Sequence, residues 1–141
     1  RVEQTDRRIV DLLRADGRMS FTDLGKQLGL STSAVHQRVR RLEERGVLAG
    51  YAARVDHVAL GNALTAFMSI TPLDPAAPDD VPDRLRGIPE IEECHSVAGD
   101  MSYVLKVRVA SPAALEELIA KVRAAANVST RTTIVLSTPW E

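Results

Sequence analysis

Cysteine occurs once in this sequence, at Cys94, so the chain can form no internal disulfide and no multi-cysteine metal site. Histidine occurs three times, and His36, His57 and His95 show no metal-ligand spacing with one another or with acids. No Gly-rich phosphate loop and no Ser/His/Asp arrangement is present, so the familiar catalytic motifs have no residues to carry them. Aromatics make up 4% of the residues, with Trp140 the single tryptophan. No apolar run reaches the roughly 20 residues of a membrane span, and no basic segment followed by an apolar stretch marks a secretory signal. These absences point to a cytoplasmic protein without membrane contact, metal, cofactor or catalytic residues.

What is present fits an ordinary globular chain of one domain or two small ones, with 45% hydrophobic and 26% charged residues over 141 positions. The net charge of −1 hides an asymmetry. Residues 1–56 carry 11 Lys+Arg against 8 Asp+Glu, whereas residues 57–141 carry 7 against 11. Opposite signs in the two halves suggest two modules with different partners.

The first module reads as three helices. Thr5 can cap the first, and Ile9, Leu12 and Leu13 share one face at helical spacing. Asp16-Gly17 ends it, with Gly17 able to take the left-handed conformation of a helix C-terminus. Ser20-Phe21-Thr22-Asp23 resembles a capping box. Leu24 and Leu28 face inward on a short second helix that Gly29 stops. Ser31 caps the third, Val35, Val39 and Leu42 line its buried face, and Gly46 closes it. Two short helices joined by Leu28-Gly29-Leu30-Ser31, the second of them basic, make a helix-turn-helix pattern.

That geometry places the third helix in the major groove of double-stranded DNA. Thr32, Ser33, His36, Gln37 and Arg40 fall away from the apolar face, which makes them the readers. Gln37 suits adenine, and Arg40 or Arg41 suits guanine or a phosphate. Lys26 and Arg38 are further candidates for the DNA backbone. A basic amphipathic helix can also be a solvated face, with Glu43 and Glu44 pairing locally with Arg40 and Arg41. The absence of acids between Ser33 and Arg41, behind a correctly placed helix and turn, favours DNA. Val47 to Asp56 then reads as a short strand or wing, and residues 51–62 as a linker strand.

The second module reads as strand, helix, strand, strand, helix, strand. Its strands are expected at Leu64–Ile70, Ile91–Val97, Tyr103–Val109 and Thr132–Thr138. Its helices are expected at Asp79–Arg86 and after Ser111-Pro112, where Leu115, Leu118, Ile119 and Val122 follow helical spacing. The order is the ferredoxin-like βαββαβ arrangement, which fixes no function by itself. Phe67 beside Met68 puts apolar residues on both faces of the first strand, which suggests that the open face is buried in an oligomer. Cys94 is expected to be a buried strand residue. Glu90, Glu92 and Glu93 read as a solvated strand end. The predicted class is therefore α+β, a winged helix-turn-helix (1–50) joined through 51–62 to a ferredoxin-like βαββαβ domain (63–141).

The pattern Leu30-Ser31…Val35…Arg38-Val39-Arg40-Arg41-Leu42-Glu43…Gly46-Val47, then Gly50-Tyr51, ahead of a βαββαβ domain, resembles the leucine-responsive regulator/AsnC family. Gly99-Asp100…Tyr103-Val104-Leu105-Lys106-Val107 belongs to the same resemblance, and Ile70-Thr71-Pro72-Leu73-Asp74 looks like its actinobacterial branch. The resemblance implies a transcriptional regulator that dimerises through its sheet, assembles further into octamers and reads pseudo-palindromic sites. It also implies a small effector, usually an amino acid, bound between dimers at the turn from Val97 to Tyr103.

The chemistry of that turn suits such a ligand. Gly99 lets backbone N–H groups approach a carboxylate, and Asp100 can hold an ammonium. Ser102 and Thr130 add hydroxyls. Many family members carry an acid where this chain has Ser102, and Met101 beside it suggests a more apolar pocket for a hydrophobic or aromatic amino acid. Gly99-Asp100 also serves as an ordinary hairpin turn. The alternative function is a haem-pathway decarboxylase-like enzyme of the same architecture. A strongly basic third helix, and a C-terminal domain whose one clear histidine is His95, speak against it.

Overall fold

The computed structural model describes residues 1–141 as two units, Arg1–Arg54 and Val55–Glu141. In the first unit, helix α1 spans Gln4–Ala15, α2 Phe21–Leu28 and α3 Thr32–Glu44. Thr5 lies inside α1 and does not cap it. Glu3 precedes the helix in extended conformation, and its carbonyl accepts the first helical bond from Arg7 N–H at 2.9 Å. The end of α1 also differs from expectation. Gly17 has no positive φ, and Asp16 makes the turn instead. Its carboxylate accepts from Arg18 N–H at 3.0 Å and its carbonyl from Met19 N–H at 3.1 Å, an Asx-type turn that leaves no left-handed residue to fill.

The starts of α2 and α3 follow the sequence. Ser20 Oγ accepts from Asp23 N–H at 3.0 Å and Ser31 Oγ from Ala34 N–H at 3.1 Å. Each serine satisfies an orphan amide of the first turn. Gly29 ends α2 in the left-handed region at φ 68°, where its lack of Cβ removes the steric cost. The core joins all three helices through Ile9, Leu13, Leu24, Val35, Val39 and Leu42.

Beyond α3, Val47 and Leu48 N–H both donate to the Leu42 carbonyl, at 2.9 and 3.1 Å, and Leu48 packs on the core. The wing and the strand expected over 51–62 do not form within the chain. A strand requires a partner edge, and none is offered to this segment. A turn forms instead at residues 57–61, with Asp56 Oδ1 accepting from Val58 and Ala59 N–H and Asn62 N–H donating to His57 O at 2.9 Å.

The second unit contains β1 (Leu64–Pro72), α4 (Val81–Leu85), β2 (Ile91–Ser96), β3 (Tyr103–Val109), α5 (Pro112–Ala126) and β4 (Val128–Ile134). The strands form one antiparallel sheet in the order β2-β3-β1-β4, the ferredoxin-like topology. Residues Ala66, Met68 and Ile70 of β1 and Tyr103, Leu105, Val107 and Val109 of β3 pack with Leu115, Leu118 and Val122 of α5 and with Val81 and Leu85 of α4. Alternation sends Phe67, Val104 and Lys106 to the other face, which no helix covers, and Phe67 is 40% exposed there.

Two elements are shifted from their expected places. Helix α4 is shorter than Asp79–Arg86, with Asp80 and Arg86 as its caps. Strand β4 runs over Val128–Ile134 and not Thr132–Thr138. Asn127 ends α5 in the left-handed region at φ 51°, so the chain enters the sheet at once, with Val128 opposite Pro72 and Thr130 opposite Ile70. The tail after Val135 carries Leu136 and Trp140 almost fully exposed.

Candidate nucleic-acid interface and effector region

Helix α3 turns Val35, Val39 and Leu42 into the core, and the 100° step of the helix leaves Thr32, Ser33, His36, Gln37, Arg40 and Arg41 exposed. These six side chains form one continuous surface. The Ser33 hydroxyl lies 3.2 Å from that of Ser31. The His36 ring meets Phe21 edge-on with centroids 5.5 Å apart, which restricts its orientation. Arg40 Nε donates to Glu44 Oε1 at 3.1 Å, an exposed i,i+4 pair worth about 0.3–0.5 kcal/mol and easily exchanged for a phosphate. Arg41 has no acidic partner within the chain.

Arg38 was a candidate for the DNA backbone, but the fold turns it the other way. Its guanidinium reaches α1, 3.0 Å from Asp6 Oδ1 and 3.2 Å from Glu3 Oε2. The bond to Asp6, and then that to Glu3, pushes Arg38 above its ordinary value and keeps it charged. Asp6 is the one buried polar or charged residue. A signal for this pair existed in the sequence, because Asp6 falls on the stripe of Ile9 and Leu13. A carboxylate in a core position needs a cation.

In the second unit, the residues expected at the effector site gather at the β3 entrance. Val97 N–H donates to Ser102 O at 3.1 Å, closing the turn, and Ser102 N–H donates to Ile70 O at 3.0 Å. Ile70 stands between Tyr103 on one side and Thr130 on the other, which brings Thr130 to the same end of the sheet. Val97, Gly99 and Asp100 are exposed, Met101 and Ser102 half-buried. Gly99 has no positive φ, and a Cβ added there would meet nothing within 4 Å. The turn is thus open on its outer side.

Tyr103 and Thr130 are differently placed from the rest. The Tyr103 ring is buried in the core and its hydroxyl donates to Asp79, a bond that raises the phenol above its ordinary value. Thr130 Oγ1 accepts from Arg123 Nε of α5 at 3.2 Å. Thr71 donates to the Met101 sulfur at 3.4 Å, fixing that side chain.

Of the acids before and along β2, Glu92 and Glu93 are paired and not simply solvated, while Glu90 Oε2 is buried without a partner. Glu92 accepts from Arg108 at 3.0 Å, while Glu93 lies 2.9 Å from His95 Nε2 and 3.5 Å from Lys106 Nζ. Cys94, expected to be buried, is exposed, because β2 is an edge strand and the five-residue α4 does not cover it. The His95 hydrogen bond, with Lys106 behind it, holds the Glu93 carboxyl below its ordinary 4.5, burial opposing. A depressed carboxyl contributes stability that is complete above pH 4.5 and is lost as pH falls through the lowered folded value. Glu93→Gln is expected to melt below the parent at neutral pH and to converge on it in acid. A constant gap between the two melting curves across that range would contradict the pairing.

No cluster of three or more His, Cys, Asp or Glu is placed to hold a metal ion, and no helix is long and apolar enough to cross a membrane.

Comparison with known proteins follows the same division of the chain. An AsnC-type helix-turn-helix domain model matches residues 3–43, and an Lrp/AsnC ligand binding domain model matches residues 65–141. The HTH-type transcriptional regulator LrpA of Mycobacterium tuberculosis is 56% identical over 137 residues, covering 97% of this chain and 91% of that protein. The leucine-responsive regulatory protein of Escherichia coli is 37% identical over 140 residues, covering 96% and 85%. Among solved structures, a feast or famine regulatory protein from M. tuberculosis complexed with L-methionine superposes with a TM-score of 0.97 at 54% identity, covering 100% of this chain and 96% of that one. The relatives named here are transcriptional regulators, which removes the decarboxylase alternative. With both domain models matched in order and relatives aligned over nearly its full length, the chain belongs to the Lrp/AsnC family of DNA-binding transcriptional regulators, and it is not an enzyme.

Proposed function

We propose that this protein is a homo-oligomeric regulator whose DNA affinity responds to an apolar amino acid, with Thr32, Ser33, His36, Gln37, Arg40 and Arg41 at the DNA and Val97, Gly99, Asp100, Met101, Ser102, Tyr103 and Thr130 at the effector site. The observation that carries the reading is the outer face of α3 from Thr32 to Arg41, exposed at Thr32, Ser33, His36, Gln37, Arg40 and Arg41 and free of acids. A groove lined with phosphates favours such a surface, and displaced counterions drive the association. Gln37 and Arg40 have the donor geometry for base edges, and Arg41 is free for a phosphate. The domain division 1–50, 51–62 and 63–141 assigns reading to the first segment and sensing to the last.

Effector binding is supported by the open turn at Gly99 and by the L-methionine bound to the related M. tuberculosis regulator. Asp100 offers a carboxylate for the ammonium, and backbone N–H groups of the turn other than those of Val97 and Ser102 would meet the carboxylate. The half-buried Met101, with its sulfur held by Thr71, gives the site an apolar wall suited to a hydrophobic side chain. Tyr103 acts as the anchor of the turn, with its hydroxyl engaged by Asp79. The partly exposed Phe67 on the uncovered sheet face supports dimerisation through the sheet and assembly to octamers. Effector between dimers then shifts the population of assembly states and with it the spacing of the recognition helices.

The test is a titration of the DNA upstream of this protein's own gene against a shuffled control, at two salt concentrations, with each amino acid added in turn. Probe-selective, salt-sensitive affinity that moves with one apolar amino acid is the expected result. Amino acid binding that leaves both DNA affinity and assembly unchanged would contradict the reading. Arg40→Ala is expected to leave the fold intact, since the Glu44 pair is exposed. If Arg40 holds a phosphate, the salt slope drops by about one unit. If it reads guanine, the loss of roughly 1–3 kcal/mol concentrates at one base position.

A further inference from the structure

A cleft of about 450 Å³ lies between α4 and the edge strand β2. Leu85, Ile88 and Ile91 give it an apolar floor, Glu92, Glu93, Cys94 and Ser96 form its strand wall, and Arg86 stands at its rim. The volume lies within the range of small-molecule sites. Three features narrow the chemistry of an occupant. First, Arg86 is a cation with little else to do: its side chain is 79% exposed, and its one ion pair, to Asp83, is stretched to 3.8 Å. Second, the two carboxylates that line the cleft are engaged, Glu92 by Arg108 and Glu93 by His95 and Lys106. Neither of these two lining carboxylates is left to hold an ammonium. Third, the floor is aliphatic. Burial raises the Cys94 thiol while the charge of Arg86 pulls it down, so the guanidinium is felt at the strand wall.

We propose that this cleft binds a compact aliphatic monocarboxylate lacking an ammonium group, its carboxylate on Arg86 and its hydrocarbon against Leu85, Ile88 and Ile91. Branched 2-oxo acids and short branched fatty acids share this chemistry. The site is separate from the turn at residues 97–102. Tyr103 is the one residue they share, and its hydroxyl is held by Asp79. A regulator with both sites senses an amino acid and a deaminated acid of similar side chain independently.

The lone cysteine supplies the readout. Cys94 lines the cleft and is the only thiol in the chain, so alkylation of the intact protein by iodoacetamide, followed by mass spectrometry, reports on one position. The rate is measured with 4-methyl-2-oxopentanoate, with 4-methylpentanoate and with leucine at matched concentrations. At least one of the two acids is expected to slow alkylation in a saturable way. Protection by the 2-oxo acid alone identifies the oxo acid class, and equal protection by both identifies the carboxylate and hydrocarbon as sufficient. Leucine is expected to give no protection. Arg86→Ala should weaken the protecting affinity about tenfold, as loss of a charge-assisted bond does, with Arg86→Lys restoring most of it. Arg86 is exposed, so neither change disturbs the core. The proposal is overturned if neither acid protects, if Arg86→Ala protects as well as the parent, or if leucine protects equally. It is also overturned if Cys94 is inert before any ligand is added, because the cleft is then closed by another copy. None of these outcomes bears on the DNA titration or its amino acid response.

Discussion

Replacing Gly25 with alanine is expected to destabilise the helix-turn-helix unit by about 3 kcal/mol and to remove specific DNA binding with it. Gly25 is buried within α2, and a Cβ at this position would stand 2.4 Å from the carbonyl oxygen of Leu30 and 3.5 Å from its carbon. Both are backbone atoms of the turn between α2 and α3, so no side-chain rotation relieves the contact. The turn is also tied down, because the N–H groups of Gly29 and Leu30 both donate to the Gly25 carbonyl, the latter at 2.9 Å. The methyl group fits only if α3 moves relative to α2, which opens the packing of Leu24 against Val35. Gly29→Ala is the control. Its Cβ would meet nothing within 4 Å, and only the φ of 68° resists it, at a cost of about 1–2 kcal/mol. Thermal melts of the two variants, with DNA titrations below the transition, separate steric from conformational cost. Equal melting temperatures for Gly25→Ala and the parent would mean that the turn yields.

The second large effect is expected at Arg38. Arg38→Ala leaves Asp6 in the core of the three helices without its cation, a loss of about 2–3 kcal/mol. The side chains are 25% and 12% exposed, so the pair is only partly screened, whereas Glu3 at 73% adds little. Asp6→Ala alone is expected to cost a similar amount, and the double variant less than the sum, since the second change removes the charge that the first left stranded. Additive losses in a denaturant series would show that Arg38 and Asp6 act separately. Where Arg38→Ala remains folded, its DNA affinity should fall at every salt concentration with no change in slope, because Arg38 pins α3 to α1 and touches no phosphate. A slope lower by about one unit would return Arg38 to the DNA interface.

Both variants concern residues whose importance was only partly readable in the chain. Gly25 sits inside a helical stretch where glycine is merely unfavourable, and nothing local announces that Leu30 comes back against it. Arg38 shares its helix with Arg40 and Arg41, and composition does not distinguish the three. The sign of the clue was on another helix, in the acid at Asp6 on an apolar stripe. The turn at Gly99 shows the opposite case. Its residue types suggested a required glycine, yet its backbone is ordinary and its outer side open, so what glycine leaves there is room.

The regular elements were legible because their determinants are local. Ser20, Ser31 and Ser111 cap the helices that follow them, apolar spacing marks α1, α3, α5 and β3, and Gly29 and Gly46 stop α2 and α3. Each depends on residues within one or two turns of the chain, so periodicity and cap chemistry suffice. Where the determinant is a distant partner, the chain alone was silent or misleading. Residues 51–62 have no edge to pair with, and β4 begins four residues early because its register follows β1. The exposure of Cys94 follows from β2 being an edge strand beside a five-residue helix. Local propensity and pattern thus determined which segments are helix or strand and which face of α3 is polar. Tertiary contact decided that Arg38 turns to Asp6 while Arg40 and Arg41 stay exposed, and it opened a cleft beside β2, because long-range packing assigns each side chain its neighbours.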